Sequence, residues 1–162
     1  MMPALPSTTR SLPIALIRAR ENIMMPIRTM LAGSGLTEQQ WRVLRVLSEY
    51  GAQDATDLAD RASLHMPSLT RITRAMDMRG LITRTRDPKD GRRQMLDITP
   101  RGAQVITENA AEAARIVDGF KARIGADNYD TLLDLLEKFS GDPDNVGEPP
   151  EATTLPRTRL KD

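Results

Sequence analysis

Between Arg61 and Arg93 the sequence carries nine lysines and arginines against three acids, a local charge of +6 in a chain whose net charge is only +1. A basic middle between neutral or acidic flanks has the form of a face that binds a polyanion, although charge alone fits a solvated surface equally well. The side chains that could serve such a ligand fall in two groups. Ser68, Thr70, Arg71 and Arg74 stand together in one periodic segment, and Lys89, Arg92 and Arg93 crowd a segment rich in turn residues. Arginine can donate two hydrogen bonds to guanine, serine and threonine can serve bases or phosphates, and lysine neutralises phosphate. This is the chemistry of recognition rather than of bond-making.

Little else in the chain could make or break a covalent bond. There is no cysteine and a single histidine, His65, which removes disulfide frameworks, thiolate zinc sites, thiol-based peroxide sensing and multi-histidine metal centres. No nucleophile elbow, phosphate-binding glycine loop or metal-ligand cluster occurs, and one histidine is thin material for acid–base catalysis. The chain is therefore expected to be no enzyme and to use no metal or cofactor. Aromatic residues make up 3%, which argues against base stacking on single strands. No apolar run approaches the roughly 20 residues that span a bilayer. The N-terminus lacks a basic segment followed by an apolar stretch, so a cytoplasmic location without a membrane partner is expected.

The elements that must position the basic residues follow from periodicity and punctuation. Residues 1–10 read as a flexible arm. Ser11, with Pro13 behind it, opens a first helix whose apolar residues Leu16, Ala19, Ile23, Ile27 and Met30 recur at helical spacing. Pro26 should kink or divide that helix, because it removes a backbone donor. Thr37 with Gln40 forms a capping box for a second helix, which Gly51 closes. Asp54 caps a short third helix, and a tight turn through His65 and Pro67 leads into a fourth. There Leu69, Ile72 and Met76 line one face until Gly80. Two strand-like runs, Leu81 to Arg86 and Gln94 to Ile98, flank Asp87-Pro88-Lys89-Asp90-Gly91, the makings of a β-hairpin with a basic tip. Thr99-Pro100 restarts a long helix with a break near Gly125, and the last helix carries Tyr129, Leu132, Leu133, Leu136 and Phe139. From Gly141 onward the chain is proline-rich and aperiodic.

Three helices followed by two strands is the order of a winged helix-turn-helix, in a mainly α chain with a small β-hairpin. The fourth helix would anchor its apolar side in the core and turn Ser68, Thr70, Arg71 and Arg74 toward a major groove. The hairpin would bring Lys89, Arg92 and Arg93 to the neighbouring minor groove or backbone. The chain then divides into the arm at 1–10, dimerisation helices at 11–36 and 99–140, a DNA-binding lobe at 37–98, and a flexible or extended tail at 141–162. The apolar stripes of the flanking helices exceed what a small winged lobe can bury, so a homodimer reading two half-sites is expected. Two rivals remain open: a winged-helix module that binds protein, and a DNA binder with no small-molecule effector.

The run Ser68-Leu69-Thr70-Arg71-Ile72, then Met76 and Gly80-Leu81-Ile82-Thr83-Arg84, resembles the recognition segment of the MarR family of bacterial regulators. Asp87-Pro88-Lys89-Asp90-Gly91-Arg92-Arg93, continuing to Leu96-Asp97-Ile98-Thr99-Pro100-Arg101-Gly102, resembles that family's wing. The stretches Ala15 to Glu21 and Leu36 to Arg42 are similar, within the family, to repressors of homoprotocatechuate (hydroxyphenylacetate) degradation operons. The resemblance spans about Leu12 to Phe139. It implies a homodimer with interlocking first and last helices, a palindromic double-stranded operator, and repression relieved by a small phenolic or aromatic carboxylic acid. For that effector it implies Arg18, Arg20, Trp41 and His65, since arginine pairs with a carboxylate and an indole covers an aromatic ring. Each has a plainer reading. Trp41 could be ordinary core, Arg18 and Arg20 could form salt bridges, and His65 could cap a turn or meet a phosphate.

Overall fold

The computed structural model describes residues 7–140. The first six residues of the expected arm and the expected tail at 141–162 lie outside the described residues. Of the arm, Thr8–Arg10 form one 3-10 turn capped by the Ser7 side chain. The described residues divide into two compact units, one up to Gly119 and one from Phe120.

In the first unit α1 spans Leu12–Ala32, α2 Glu38–Tyr50, α3 Ala55–Arg61 and α4 Met66–Met78. Strands β2 (Ile82–Arg86) and β3 (Gln94–Ile98) form the hairpin, and α5 begins at Pro100 and runs to Ile124. Punctuation explains the boundaries. Thr37 and Gln40 make the reciprocal capping box that starts α2. The Asp54 carboxylate accepts from the Asp57 N–H at 2.9 Å to start α3. Gly80 ends α4 at φ 66°, a left-handed conformation that glycine adopts without a Cβ penalty.

Two features depart from the sequence reading. Of the two outcomes expected of Pro26, division does not occur: α1 continues through it to Ala32. The carbonyl that loses its helical partner belongs to Asn22, an exposed residue, so water can satisfy it. The hairpin also gains a third strand, β1 (Gln53–Asp54), giving an antiparallel sheet in the order β1-β3-β2. Gln53 pairs with Leu96 and Asp54 with Met95, while β2 and β3 run in register from Ile82↔Ile98 to Arg86↔Gln94.

One apolar core holds these elements together. Leu44 and Leu47 of α2, Leu58 of α3, Leu69, Ile72 and Met76 of α4, and Ile82 and Leu96 of the sheet are all buried in it, with Leu31 at the end of α1. The start of α5 is fastened to the end of α4. The Thr99 hydroxyl donates to the Gly80 carbonyl at 2.7 Å and accepts from the Gly102 N–H at 3.0 Å, while the Thr99 N–H donates to the Leu81 carbonyl at 3.1 Å. Gly102 is required by proximity, since a Cβ there would lie 2.2 Å from the Leu81 oxygen.

In the second unit α5 ends at Ile124, Gly125 turns at φ 88°, and α6 spans Ala126–Glu137. The Lys121 ammonium sits 5.5 Å from the centroid of the Tyr129 ring. Phe139, expected within the last helix, lies in the turn beyond it and is exposed. Among the described residues no helix is long and apolar enough to cross a membrane.

Candidate nucleic-acid interface

Helix α4 separates its two faces cleanly. Leu69, Ile72, Thr73 and Met76 are buried, whereas Thr70, Arg71 and Arg74 are exposed and Ser68 is half-buried. Thr73 is the one polar residue on the inner face. Its hydroxyl donates to the Leu69 carbonyl at 2.9 Å, so no polar atom there is left unpaired. Thr70 donates in the same way to the Met66 carbonyl at 3.0 Å. Pro67 stands in the first turn, where its missing N–H costs nothing, and no acid occupies that turn. The first turn thus places no carboxylate of its own at the positive end of the helix dipole, which suits a phosphate.

The wing uses its acids on its own backbone. Asp87 accepts from the Lys89 N–H at 2.8 Å and Asp90 from the Arg92 N–H at 3.1 Å. Backbone bonds from Asp87 to Arg93 and from Arg93 to Asp90 close the turn. Those side-chain bonds hold the tip in shape and leave Lys89 and Arg92 exposed at it. Among the described residues, Arg71, Arg74, Lys89 and Arg92 make no ion pair. Their charge is open to a polyanion.

Arg93 is differently employed. Its guanidinium pairs with Asp54, the residue that both caps α3 and belongs to β1. The Asp54 carboxyl is held below the usual range, first by the Asp57 backbone N–H and then by the Arg93 charge, against an opposing effect of burial. Arg84 likewise turns along the hairpin, donating to the Gln94 side chain at 2.7 Å. The net basic count of the sequence window thus overstates the free charge on the face.

The four effector candidates occupy different settings. Trp41 is buried in the core of the lobe. Arg20 donates to Glu38 at 2.5 Å, and Glu38 also accepts from Arg28 at 3.3 Å, tying α1 to the first turn of α2. Arg28 further donates to Glu21 at 2.6 Å, and this hydrogen bond holds the Glu21 carboxyl below its ordinary value. Arg18 is exposed. His65 occupies the N-cap position of α4, exposed, with no side-chain capping bond.

Sequence reasoning missed two arginines that face the backbone. Arg42 of α2 donates to the carbonyls of Ala62 and Ser63, and Arg79 donates to those of Ser34 and Gly35. Their partners lie 20 or more positions away in the chain. The only local signal is an arginine standing beside buried neighbours, as Arg42 does between Trp41 and Val43.

The model of the MarR family matches residues 36–93, from the approach to α2 through the wing. The homoprotocatechuate degradative operon repressor of Escherichia coli is 36% identical over 129 residues, covering 80% of this chain and 87% of that protein. This chain belongs to the MarR family. Among solved structures, NadR in complex with 4-hydroxyphenylacetate superposes with a TM-score of 0.75 at 34% identity, covering 86% of this chain and 98% of that one. The transcriptional repressor CouR, bound to a 23-mer DNA duplex, gives 0.76 at 27% identity, with coverage of 87% and 100%. This MarR-family chain is thus a DNA-binding transcription regulator with a winged-helix fold.

Proposed function

We propose that this chain is a cytoplasmic, non-catalytic repressor that binds a palindromic operator as a homodimer and leaves it on binding a small aromatic carboxylic acid. The observation that carries the reading is the division of α4, with four residues buried and Arg71 and Arg74 exposed without an acidic partner among the described residues. Ser68, Thr70, Arg71 and Arg74 would serve the major groove, and Lys89 and Arg92 the flanking backbone or minor groove. Arg93, expected beside them, also holds the wing to Asp54, a partner it would share with a phosphate.

Dimerisation is supported by the apolar residues that the flanking helices leave in solvent. These include Leu16, Ile17 and Ile23 of α1, Val117 and Ile124 of α5, and Leu132, Leu133 and Leu135 of α6. The division into dimerisation helices at 11–36 and 99–140 around a lobe at 37–98 belongs to the same reading. A second copy gives a second α4, and two such helices match half-sites about one DNA turn apart.

The effector class follows from relatives: NadR was crystallised with 4-hydroxyphenylacetate, and the Escherichia coli relative is named for a homoprotocatechuate operon. On this chain Arg18, Arg20 and His65 offer cationic or donor groups to such an acid. Arg20 would have to exchange its Glu38 partner for the ligand carboxylate. A ligand that weakens DNA binding tenfold must favour the DNA-free form by about 1.4 kcal/mol. Fluorescence anisotropy on DNA from upstream of the chain's own gene, titrated with 4-hydroxyphenylacetate and with benzoate, tests this step. Release by the hydroxylated acid is expected; binding that neither acid disturbs would leave a DNA-binding regulator without this effector.

A further inference from the structure

The turn between α3 and α4 contains the one non-glycine residue of positive φ among the described residues, Ser63 at 51°. It stands where a helix C-terminus favours glycine. The Leu64 N–H donates to the Ala59 carbonyl at 2.9 Å and the Ser63 N–H to the Asp60 carbonyl at 3.1 Å, the paired bonds of a Schellman motif. The corresponding turn after α4 makes the same two bonds, from Leu81 to Met76 and from Gly80 to Asp77, but uses a glycine. The turn that launches the recognition helix is therefore the one whose own sequence disfavours its shape.

It has outside support. Arg42 of α2 donates from one guanidinium nitrogen to the Ala62 carbonyl at 2.8 Å and to the Ser63 carbonyl at 3.1 Å. Both acceptors follow the last turn of α3, where carbonyls lack helical partners and a cation is favoured. Helix α4 begins at Met66, so the clamped carbonyls lie within one helical turn of its first residue. Arg79, at the far end of α4, holds the Ser34 and Gly35 carbonyls at 3.4 and 3.1 Å, on a turn that glycine already accommodates.

We propose that Arg42 is a positioning residue for sequence-specific DNA binding: it fixes the Ala62–Ser63 turn and so the angle at which α4 presents Arg71 and Arg74. This rests on the reading of α4 as the helix that enters DNA. A misplaced recognition helix loses base-edge contacts, which need fixed geometry, before it loses attraction for phosphate, which does not.

The test uses the full chain and two duplexes of equal length: one selected by the wild-type protein from a random-sequence library, and one of scrambled sequence. Affinities are measured across a salt series for wild type, Arg71→Ala, Arg42→Met and Arg42→Lys. Arg42→Met is expected to lower affinity for the selected duplex about tenfold while changing affinity for the scrambled one by less than about twofold. The slope of log affinity against log salt stays at the wild-type value, because no phosphate contact is lost. Arg42→Lys, which can donate to a carbonyl without the guanidinium geometry, recovers part of the discrimination. Should Arg42→Met fail to fold, Arg42→Lys carries the comparison alone, with partial loss of discrimination at an unchanged slope expected. Wild-type discrimination in the Arg42 variants overturns the proposal. So does equal weakening on both duplexes with a shallower slope, which would make Arg42 a phosphate ligand. A wild-type chain that selects no sequence, or an Arg71→Ala variant that discriminates as well as wild type, removes instead the reading of α4 on which the proposal stands.

Discussion

The winged lobe buries most of its apolar residues, whereas the helices that flank it leave many of theirs exposed. Leu44, Leu58 and Met76 of the lobe have no exposed surface, whereas Ile17 of α1 is 70% exposed and Leu133 of α6 is 49% exposed. The lobe closes its core within one chain. The flanking helices have the same kind of amphipathic sequence but leave more of their apolar residues exposed. Burial of apolar surface contributes roughly 25 cal/mol per Å², so a second copy that covers these residues gains what the single chain leaves unused. The same contrast separates the lobe's charges. Arg42, Arg79 and Arg93 are bound to carbonyls or to Asp54, whereas Arg71, Arg74, Lys89 and Arg92 are exposed without an ion-pair partner among the described residues. On the proposed reading, the fixed groups hold the lobe's shape and the free groups meet DNA.

Three substitutions sharpen or break that comparison. The largest effect is expected for Leu133→Glu, which places a charge on the exposed apolar side of α6. It should weaken self-association by about 2–4 kcal/mol and leave the lobe's far-ultraviolet signal largely intact. Sedimentation equilibrium reads the change, and an unaltered association constant would show that α6 takes no part in pairing. Next comes Gly102→Ala, at the joint between lobe and α5. A methyl group 2.2 Å from a backbone oxygen must push the helix start away, at a cost of about 1–3 kcal/mol. Thermal unfolding would register this, and a wild-type midpoint would mean that α5 moves freely against the lobe.

The smallest effect is expected for Asp54→Asn. Asparagine keeps the capping acceptor but loses the charge opposite Arg93, so the neutral-pH cost should stay within about 1 kcal/mol. The pH dependence has a definite sign. Folding lowers the Asp54 pKa from 3.8, so its carboxylate stabilises the fold fully above that value and ceases to do so as pH falls through the lower folded value. The difference between wild type and Asp54→Asn should therefore shrink in acid. A difference that grows below pH 3.8 would contradict the assigned partners.

What could be read from sequence, and what could not, divides along chain distance. The Thr37–Gln40 box, the Asp54 cap, the Gly80 stop and the turn chemistry of the wing tip are contacts within a few residues, and their signals are local. The partition of α4 into buried Leu69, Ile72 and Met76 and exposed Arg71 and Arg74 follows from helical period alone. Strand β1 escaped because two residues cannot display a period. The employment of Arg93 escaped because its partner is 39 positions away, and that of Arg42 because its partners are carbonyls, which every residue has. Trp41, read from sequence either as ordinary core or as a cover for an aromatic ligand, is buried in the cluster that holds Val43 and Leu44. An indole at a helix start has no sequence mark that separates the two fates.

The central claim is that α4 reads DNA through the arginines it leaves exposed. Its most direct test is anisotropy on a duplex from upstream of the chain's own gene at two salt concentrations, with wild type beside an Arg71→Ala, Arg74→Ala double variant. The account predicts wild-type binding that weakens steeply with salt, and a loss of about 2 kcal/mol or more in the folded double variant. Equal binding by the two proteins, on this duplex and on unrelated DNA alike, would contradict it.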